Sequence, residues 1–146
     1  MATSGRTLLV SGGDGRPARV TELDVETGVW RQLADLPDGG RTYHGCTLVG
    51  RTVVVAGGSV AWALGVKLGT SFVLDLNNES DGWRKIGDLE EVREEPRLVT
   101  VNGRALAIGG LGESGYLDSV EELDMEEMRW RRVNVRMKRP RYSLHI

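Results

Sequence analysis

Few residues of this sequence are suited to chemistry. It contains two histidines, His44 and His145, and a single cysteine, Cys46. Two histidines far apart in the chain and one thiol do not form a set of metal ligands, and a copper site would need more His and Tyr ligands than these. We therefore expect neither a metal nor another cofactor.

Nucleophilic catalysis is also poorly supported. A serine–histidine–aspartate grouping could be drawn around His44, but no Gly-x-Ser-x-Gly segment accompanies it to form a nucleophile turn. Cys46 has no basic pair or helix N-terminus nearby to activate its thiol, so we expect a small side chain in an inner strand. The sequence therefore predicts no catalytic residue and no enzyme activity.

Glycine pairs and aspartates recur at the ends of apolar runs. A phosphate-binding glycine loop would need a following helix and a Lys-Ser/Thr pair, and neither is present. The pairs are better interpreted as places where strands approach closely. Because the aspartates recur in the same place, we expect them to accept hydrogen bonds at strand ends rather than to catalyse.

One pattern occurs three times, at intervals of about 50 residues. Each copy has an apolar run ending in Gly-Gly, a second run ending in Asp, and then a Trp. The structural markers are Gly12, Gly13, Asp24 and Trp30; Gly57, Gly58, Asp75 and Trp83; and Gly109, Gly110, Asp124 and Trp130. This period, with four short strand signals per copy and no capped helical pattern, predicts an all-β chain of propeller blades. Large rings at a fixed repeat position favour packing between blades.

These markers resemble the kelch repeat over nearly the whole chain. The Tyr that often precedes the Asp in kelch repeats is replaced by Leu at Leu23, Leu74 and Leu123, and the His of the first strand is present only as His44. The resemblance implies kelch-type β-propeller blades of four antiparallel strands. Three such repeats would make half of a six-bladed ring.

We expect a single domain over residues 1–146, with residues 1–6 as a polar lead. Repeat one spans about 7–36, repeat two about 41–88 and repeat three about 93–135, and residues 137–146 supply the first strand of repeat one. Three blades are fewer than the four to eight of known propellers. Three interpretations follow: a fragment of a six-bladed parent, an open arc, or a homodimer in which two copies complete one ring head to tail.

The resemblance implies a protein-interaction module that binds a protein or peptide through loops on one propeller face. The candidate positions follow each Gly-Gly, lie in the next loop, or surround the recurring Arg of the first strand. Arg16, Arg19 and that Arg could bind carboxylates of a peptide. The partner-binding candidates are Asp14, Arg16, Arg19, Arg41, Thr42, Ser59, Trp62, Lys67, Arg93, Glu94, Glu113, Tyr116, Arg141 and Tyr142.

Within the family, the chain is most similar in style to the kelch portion of substrate adaptors for cullin-RING ubiquitin ligases. An actin- or cytoskeleton-associated kelch protein is the first alternative, and a sugar-modifying or sugar-oxidising propeller the second. A net charge of −2 argues against nucleic acid as a partner. No apolar run reaches about 18 residues, and the start MATSGR lacks the apolar core of a signal peptide. A lone cysteine favours a reducing compartment, so we expect a cytoplasmic protein.

Overall fold

The computed structural model describes residues 2–12, 15–63 and 65–141. In them the chain forms three four-stranded antiparallel sheets in chain order, which we call blades one, two and three, and two small two-stranded ladders. Among these residues the helical content is a single 3-10 turn, Glu79–Asp81. The prediction of an all-β chain built from four-stranded blades is confirmed.

Blade one has the strand order β1-β2-β3-β4. Its strands are β1 (Ala2–Ser4), β2 (Thr7–Ser11), β3 (Val20–Asp24) and β4 (Val29–Gln32). Strand β1 lies in the segment expected to be a polar lead, and it pairs with β2 at the inner position that the sequence assigns to residues 137–146. Residues 142–146 lie outside the described part of the chain, so a contribution from them stays a prediction.

Blade two is the central sheet, in the order β10-β9-β7-β6. The elements of this repeat are β5 (Arg41–Thr42), β6 (Gly45–Val49), β7 (Thr52–Ala56), β8 (Ser59–Val60), β9 (Ser71–Asp75), the 3-10 turn Glu79–Asp81 and β10 (Arg84–Ile86). The continuous strand predicted over 41–49 is interrupted, because Tyr43 adopts a φ of 55° that no strand residue has. Its first part, β5, instead pairs with β8.

Blade three has the order β11-β12-β15-β16. The elements of this repeat are β11 (Arg97–Val101), β12 (Arg104–Ile108), β13 (Leu111–Gly112), β14 (Gly115–Tyr116), β15 (Ser119–Asp124) and β16 (Arg129–Arg136). Strands β13 and β14 form a small hairpin in the loop between the second and third strands of the blade.

The blades are held together by alternating apolar residues of their central strands. In β7, Val53 and Val55 belong to the core shared with blade one, while Val54 and Ala56 belong to the core shared with blade three. All four side chains are fully buried. Because successive side chains of a strand point to opposite faces, one apolar strand can serve two interfaces at once.

Two of the three repeated tryptophans join neighbouring blades. Trp83 Nε1 donates to the carbonyl of Ala34 at 2.8 Å, and Trp130 Nε1 donates to Ser71 Oγ at 2.9 Å. Trp30 is 54% exposed, because in the described residues no blade precedes blade one. The expectation of packing between blades therefore agrees with Trp83 and Trp130 and not with Trp30.

In blades two and three the second glycine of the pair allows a close backbone crossing. Gly58 and Gly110 have φ values of 94° and 107°. A Cβ added to either would lie 2.5 Å from a carbonyl oxygen, that of Thr42 for Gly58 and that of Glu94 for Gly110. These glycines therefore let the residue after the recurring Arg lie directly against the Gly-Gly turn.

We expect Gly110→Ala to be clearly more destabilising than Gly103→Ala. Both positions have positive φ, but an added Cβ at Gly103 meets nothing within 4 Å. Backbone strain alone should cost about 1–2 kcal/mol at Gly103, and the clash at Gly110 should add about 1–3 kcal/mol. Urea unfolding of both variants measures the difference, and equal losses would show that the close crossing does not matter.

Candidate functional site

A buried arginine lies at the start of blade two. Arg41 Nη1 donates to the carbonyls of Gly57 at 2.8 Å and Thr70 at 2.9 Å, and its Nη2 donates to Thr70 Oγ1 at 2.9 Å. Its Nε donates to the carboxylate of Asp38 at 2.9 Å, and the guanidinium lies 5.2 Å from the ring centroid of Phe72. One side chain thus ties the first strand, the Gly-Gly turn and the residue before the third strand.

Arg93 makes equivalent bonds to two backbone carbonyls in blade three. Its Nη1 donates to the carbonyls of Gly109 at 2.9 Å and Ser119 at 3.3 Å, and its Nη2 lies 2.6 Å from Glu121 Oε2. Both charged side chains of the Arg93–Glu121 pair are fully buried. Burial lowers the pKa of Arg93 and raises the pKa of Glu121, while the opposite charge of each partner counteracts these shifts.

These contacts contradict the prediction that Arg41 and Arg93 bind a partner. Their side chains have no exposed surface, and their donors are directed at the protein's own oxygens. They are structural residues. The third recurring arginine, Arg141, is exposed, and its carbonyl accepts a hydrogen bond from Gly110 N at 2.7 Å.

The positions after these arginines lie against the positions after the glycine pairs, as the resemblance implies. Thr42 pairs with Ser59 in the β5–β8 ladder, and their hydroxyl oxygens are 3.3 Å apart. Glu94 and Leu111 exchange two backbone hydrogen bonds of 2.9 and 2.8 Å. Blades two and three therefore bring the same two positions together, the residue after the recurring arginine and the residue after the glycine pair. We call these positions the loop bases.

Further contacts make these loop bases one continuous surface. Glu95 N donates to the carbonyl of Tyr43 at 2.7 Å, and Lys67 Nζ lies 3.9 Å from the carboxylate of Glu94. We call this surface the loop face. It comprises Thr42, Tyr43, Ser59, Trp62, Lys67, Glu94, Leu111, Glu113 and Tyr116.

Exposure differs among the loop-face residues. Trp62, Tyr43 and Tyr116 are 68%, 61% and 56% exposed, and Glu113 is exposed as well. Ser59 is buried at 4%, so it supports the surface from below. Sequence reasoning missed Tyr43, although its place two residues after the recurring Arg was a usable signal.

Beside Trp62 is a cavity of about 270 Å³. Its lining residues are Asp38, Gly40, Val60, Trp62, Leu68, Thr70, Phe72 and Lys85. The Trp62 ring lies against Gly39, where an added Cβ would be 3.2 Å from the ring. A cavity of this size beside an exposed aromatic ring fits one apolar side chain of a partner.

The remaining predicted positions lie in blade one or outside the described residues. Arg16 is exposed, and Arg19 Nη2 donates to Gln32 Oε1 at 2.9 Å. Both line a small cavity of about 180 Å³ with Pro17 and Asp35. Asp14, Tyr142 and the marker Gly13 lie outside the described residues.

The repeated aspartates accept hydrogen bonds at strand ends, as predicted. Asp24 Oδ1 accepts from the backbone N–H groups of Glu26 and Thr27, and Asp75 Oδ1 accepts from that of Asn77 at 2.9 Å. Asp124 Oδ1 accepts from two backbone N–H groups at 2.9 and 3.0 Å, and these lower its pKa. Arg6 contributes most to the lowered pKa of Asp24.

His44 and Ser11 meet between blades one and two, where the His44 Nε2 and Ser11 Oγ atoms are in hydrogen-bond contact. The His44 Nδ1 atom is buried without a partner. Burial, with the nearby charge of Arg41, lowers the pKa of His44 to about 4. The Cys46 thiol is buried, which raises its pKa to about 11, as expected of an unreactive inner-strand residue.

Comparison with known proteins places this architecture in a family. The family model described as Kelch motif matches residues 93–134. Adagio protein 3 of Arabidopsis thaliana is 35% identical, with 88% of this chain and 23% of that protein covered. Kelch-like protein 33 of Homo sapiens is 31% identical, with 86% and 27% covered. The chain therefore spans about a quarter of the length of these relatives.

A solved structure of YjhT matches with a TM-score of 0.75 and 15% sequence identity, covering 90% of this chain and 48% of that one. The sheets, the loop face and the matched fold define a partial β-propeller. With the family model and the relatives, they show that the chain belongs to the kelch-repeat family. In the described residues no helix is long and apolar enough to span a membrane, and no cluster of three or more His, Cys, Asp or Glu could hold a metal ion.

We expect Arg93→Ala to destabilise the protein by about 3–5 kcal/mol, because it leaves the buried Glu121 carboxylate without its partner. Arg104→Ala is the matched control: it removes a 65% exposed arginine paired with Glu122 and should cost about 1 kcal/mol or less. Chemical unfolding gives both values. Arg93→Lys keeps the charge but loses the planar guanidinium that donates to several oxygens at once. Full stability of this variant would contradict the structural role.

His44 should make stability dependent on pH. Its folded pKa of about 4 lies below its unfolded value of 6.5, so its contribution is fully present above pH 6.5 and is lost as pH falls through 4. The contribution is up to about 3 kcal/mol. We expect His44→Gln to flatten the stability curve between these values. Parallel curves for wild type and His44→Gln would rule the effect out.

Proposed function

We propose that this chain is a non-catalytic protein-binding module that captures a peptide or protein segment on the loop face. The observation that carries the proposal is the continuity of this face: loop bases of blades two and three are joined by backbone bonds, with two exposed aromatic rings, Trp62 and Tyr43, among them. Exposed aromatic residues beside pockets are typical anchors of protein interfaces.

The chemistry of the loop face favours a segment with one apolar side chain and flanking polar groups. The apolar side chain would enter the cavity beside Trp62, where Val60, Leu68 and Phe72 supply apolar walls. Lys85 lines the same cavity. Lys67, on the loop that carries Trp62, lies 3.9 Å from the carboxylate of Glu94, and the two side chains are only 15% and 16% exposed. Lys85 is therefore the charged group that the cavity offers to a polar group of the partner. Arg16, exposed on blade one, remains a candidate for binding a carboxylate.

The finer role that we propose is substrate recognition for a cullin-RING ubiquitin ligase in the cytoplasm. The resemblance to kelch substrate adaptors supports it. Loss of a captured partner on co-expression with the ligase would support this role. Co-sedimentation with actin filaments would instead favour a cytoskeletal protein, and turnover of a sugar would favour an enzyme.

Trp62→Ala should weaken binding of a captured peptide at least about tenfold, because it removes the most exposed aromatic ring of the loop face. The peptide is first selected from a random display library on the immobilised wild-type chain, and its affinity is then measured by calorimetry. Val25→Ala is the control, since this 53% exposed apolar residue lies at the turn between β3 and β4, away from the loop face.

Equal affinity of wild type and the Trp62→Ala variant would remove the loop face as the binding site. A comparable loss with Val25→Ala would show that binding depends on general surface hydrophobicity instead.

A further inference from the structure

The arginine that follows the repeated tryptophan lies at the same place in every blade. These arginines are Arg31, Arg84 and Arg131. Their cross-strand neighbours on the third strand are Glu22, Val73 and Glu122, respectively. In blade two an apolar residue therefore takes the place that a carboxylate has opposite this arginine in the other blades.

Carboxylates hold this arginine in blades one and three. Arg31 Nε donates to Glu22 Oε2 at 2.6 Å, and Arg31 Nη1 donates to Glu79 Oε2 at 2.9 Å. Glu79 lies in the 3-10 turn of blade two, so the guanidinium joins two blades. In blade three, Arg131 Nη2 donates to Glu127 Oε2 at 2.6 Å. Each of these arginines thus has a counterion in direct contact.

Arg84 has no such counterion. It is exposed, and its side chain forms neither an ion pair nor a hydrogen bond with any residue that the structure describes. Val73, opposite it on β9, is 5% exposed, and blade three contributes the apolar Met128 to the cavity beside Arg84. The charge of Arg84 is therefore not compensated by a direct contact.

The strand-end aspartate of blade two also lacks a counterion. In blade one, Arg6 Nη2 donates to Asp24 Oδ2 at 2.6 Å. Arg51 is equivalent to Arg6, since each follows the glycine of the hairpin between the first two strands, but its Nη1 donates to Glu22 Oε1 of blade one at 3.2 Å. Asp75, the equivalent of Asp24, is exposed and accepts only a backbone hydrogen bond among the described residues.

Arg84 and Asp75 line one cavity of about 550 Å³ between blades two and three, together with Val73 and Met128. We call it the Arg84 groove. Val73 belongs to the core that these two blades share, and Met128 packs against that core. Because β9 begins at Ser71, near the loop face, and ends at Asp75, the groove lies towards the opposite end of the blades from that face.

The two uncompensated charges have a defined spacing. Arg84 lies opposite Val73, and Asp75 follows Val73 by two positions on the same face of β9. Two positions of a strand span about 7 Å. Asp81 and Lys85 also line the groove, so that its lining carries two charges of each sign. The groove is therefore suited to a ligand with opposite charges in the right order and not to one of high net charge.

We propose that the Arg84 groove binds an extended segment of a partner protein that carries an acidic and a basic side chain two residues apart. The carboxylate accepts hydrogen bonds from the Arg84 guanidinium, as the carboxylates around Arg31 do, and the cation binds Asp75, as Arg6 binds Asp24. Side chains two positions apart in an extended chain point to the same side and are also about 7 Å apart, so both contacts form at once. Their aliphatic parts pack on the apolar lining.

The proposal does not rest on the proposed function. None of the residues that line the Arg84 groove is a residue of the loop face. The Trp62→Ala variant therefore removes the main aromatic anchor of the loop face and leaves the groove unchanged, which allows the two surfaces to be tested separately.

A carboxylate placed in the groove from within the chain tests the contact with Arg84. Val73→Glu recreates the arrangement of Glu22 and Arg31, and Val73→Gln has the same size without the charge. At pH 7 we expect a higher urea midpoint for Val73→Glu than for Val73→Gln, and we expect this advantage to disappear when both also carry Arg84→Gln. A midpoint of Val73→Glu that is equal or lower, or an advantage that persists without Arg84, would overturn the assignment of Arg84 as a carboxylate-binding group.

A peptide selection tests the groove without any change to the core. Peptides are selected from a random display library on the immobilised 146-residue chain that carries Trp62→Ala. We expect them to share an acidic and a basic residue two positions apart. Arg84→Glu should weaken the selected peptide at least tenfold in calorimetry, and Asp75→Asn should weaken it several-fold. Arg16→Glu is the control, because this exposed arginine of blade one lies outside the groove, and it should leave the affinity unchanged.

Exchange of charge between the peptide and the groove gives the sharpest outcome. A peptide in which the acidic residue is replaced by Lys should bind the Arg84→Glu variant better than it binds the chain with Arg84. Absence of this recovery would overturn the proposal, and so would a selection without the charge pair or an affinity that Arg84→Glu and Arg16→Glu change equally.

Discussion

The buried guanidinium at the start of blades two and three is the interaction on which this structure depends. At that end of the blade the chain leaves the sheet three times, at the first strand, at the Gly-Gly turn and before the third strand, so backbone carbonyls lose their sheet partners. Buried carbonyls must be satisfied. One planar side chain with five donors satisfies several of them together, which Lys could not do. The loop bases are consequently fixed in one place in both blades, and the loop face can be continuous although its loops differ in length.

The arginine also explains the glycines around it. With the guanidinium beneath the Gly-Gly turn, the backbone after the arginine passes directly over the second glycine, and Gly58 and Gly110 have no room for a Cβ. The conformation of Tyr43 follows from the same crossing: the chain leaves β5 above the turn and re-enters the sheet at β6, with positive φ between them. Glu95 has a φ of 50° at the equivalent place in the third repeat.

The fold could be predicted from the sequence because its marker residues each have one usual structural role. Most of the site could not, because its residues have more than one. Gly-Gly, Asp and Trp each have one dominant structural use, and three copies in order indicate blades. An arginine has two uses, and its recurrence does not distinguish a buried structural role from an exposed binding role. The distinguishing signal was present: Arg41 and Arg93 each precede the first glycine by 16 residues, and in both blades a hydroxyl residue, Thr70 or Ser119, lies at the start of the third strand. Strand β1 was missed because three small residues carry no apolar pattern; only its hairpin shows that it belongs to the repeat.

Successive side chains of the central strands alternate between the interface with the preceding blade and the interface with the following blade. Each blade carries one row of side chains for the blade before it and one for the blade after it, so any arc of such blades ends in two complementary surfaces. The arginine belongs to the blade that it begins, although it follows the last strand of the blade before. Arg41 and Arg93 begin blades two and three and fix the loops that follow them against the Gly-Gly turns. In the described residues the loop face accordingly spans blades two and three, and the exposed Arg16 of blade one lies outside it.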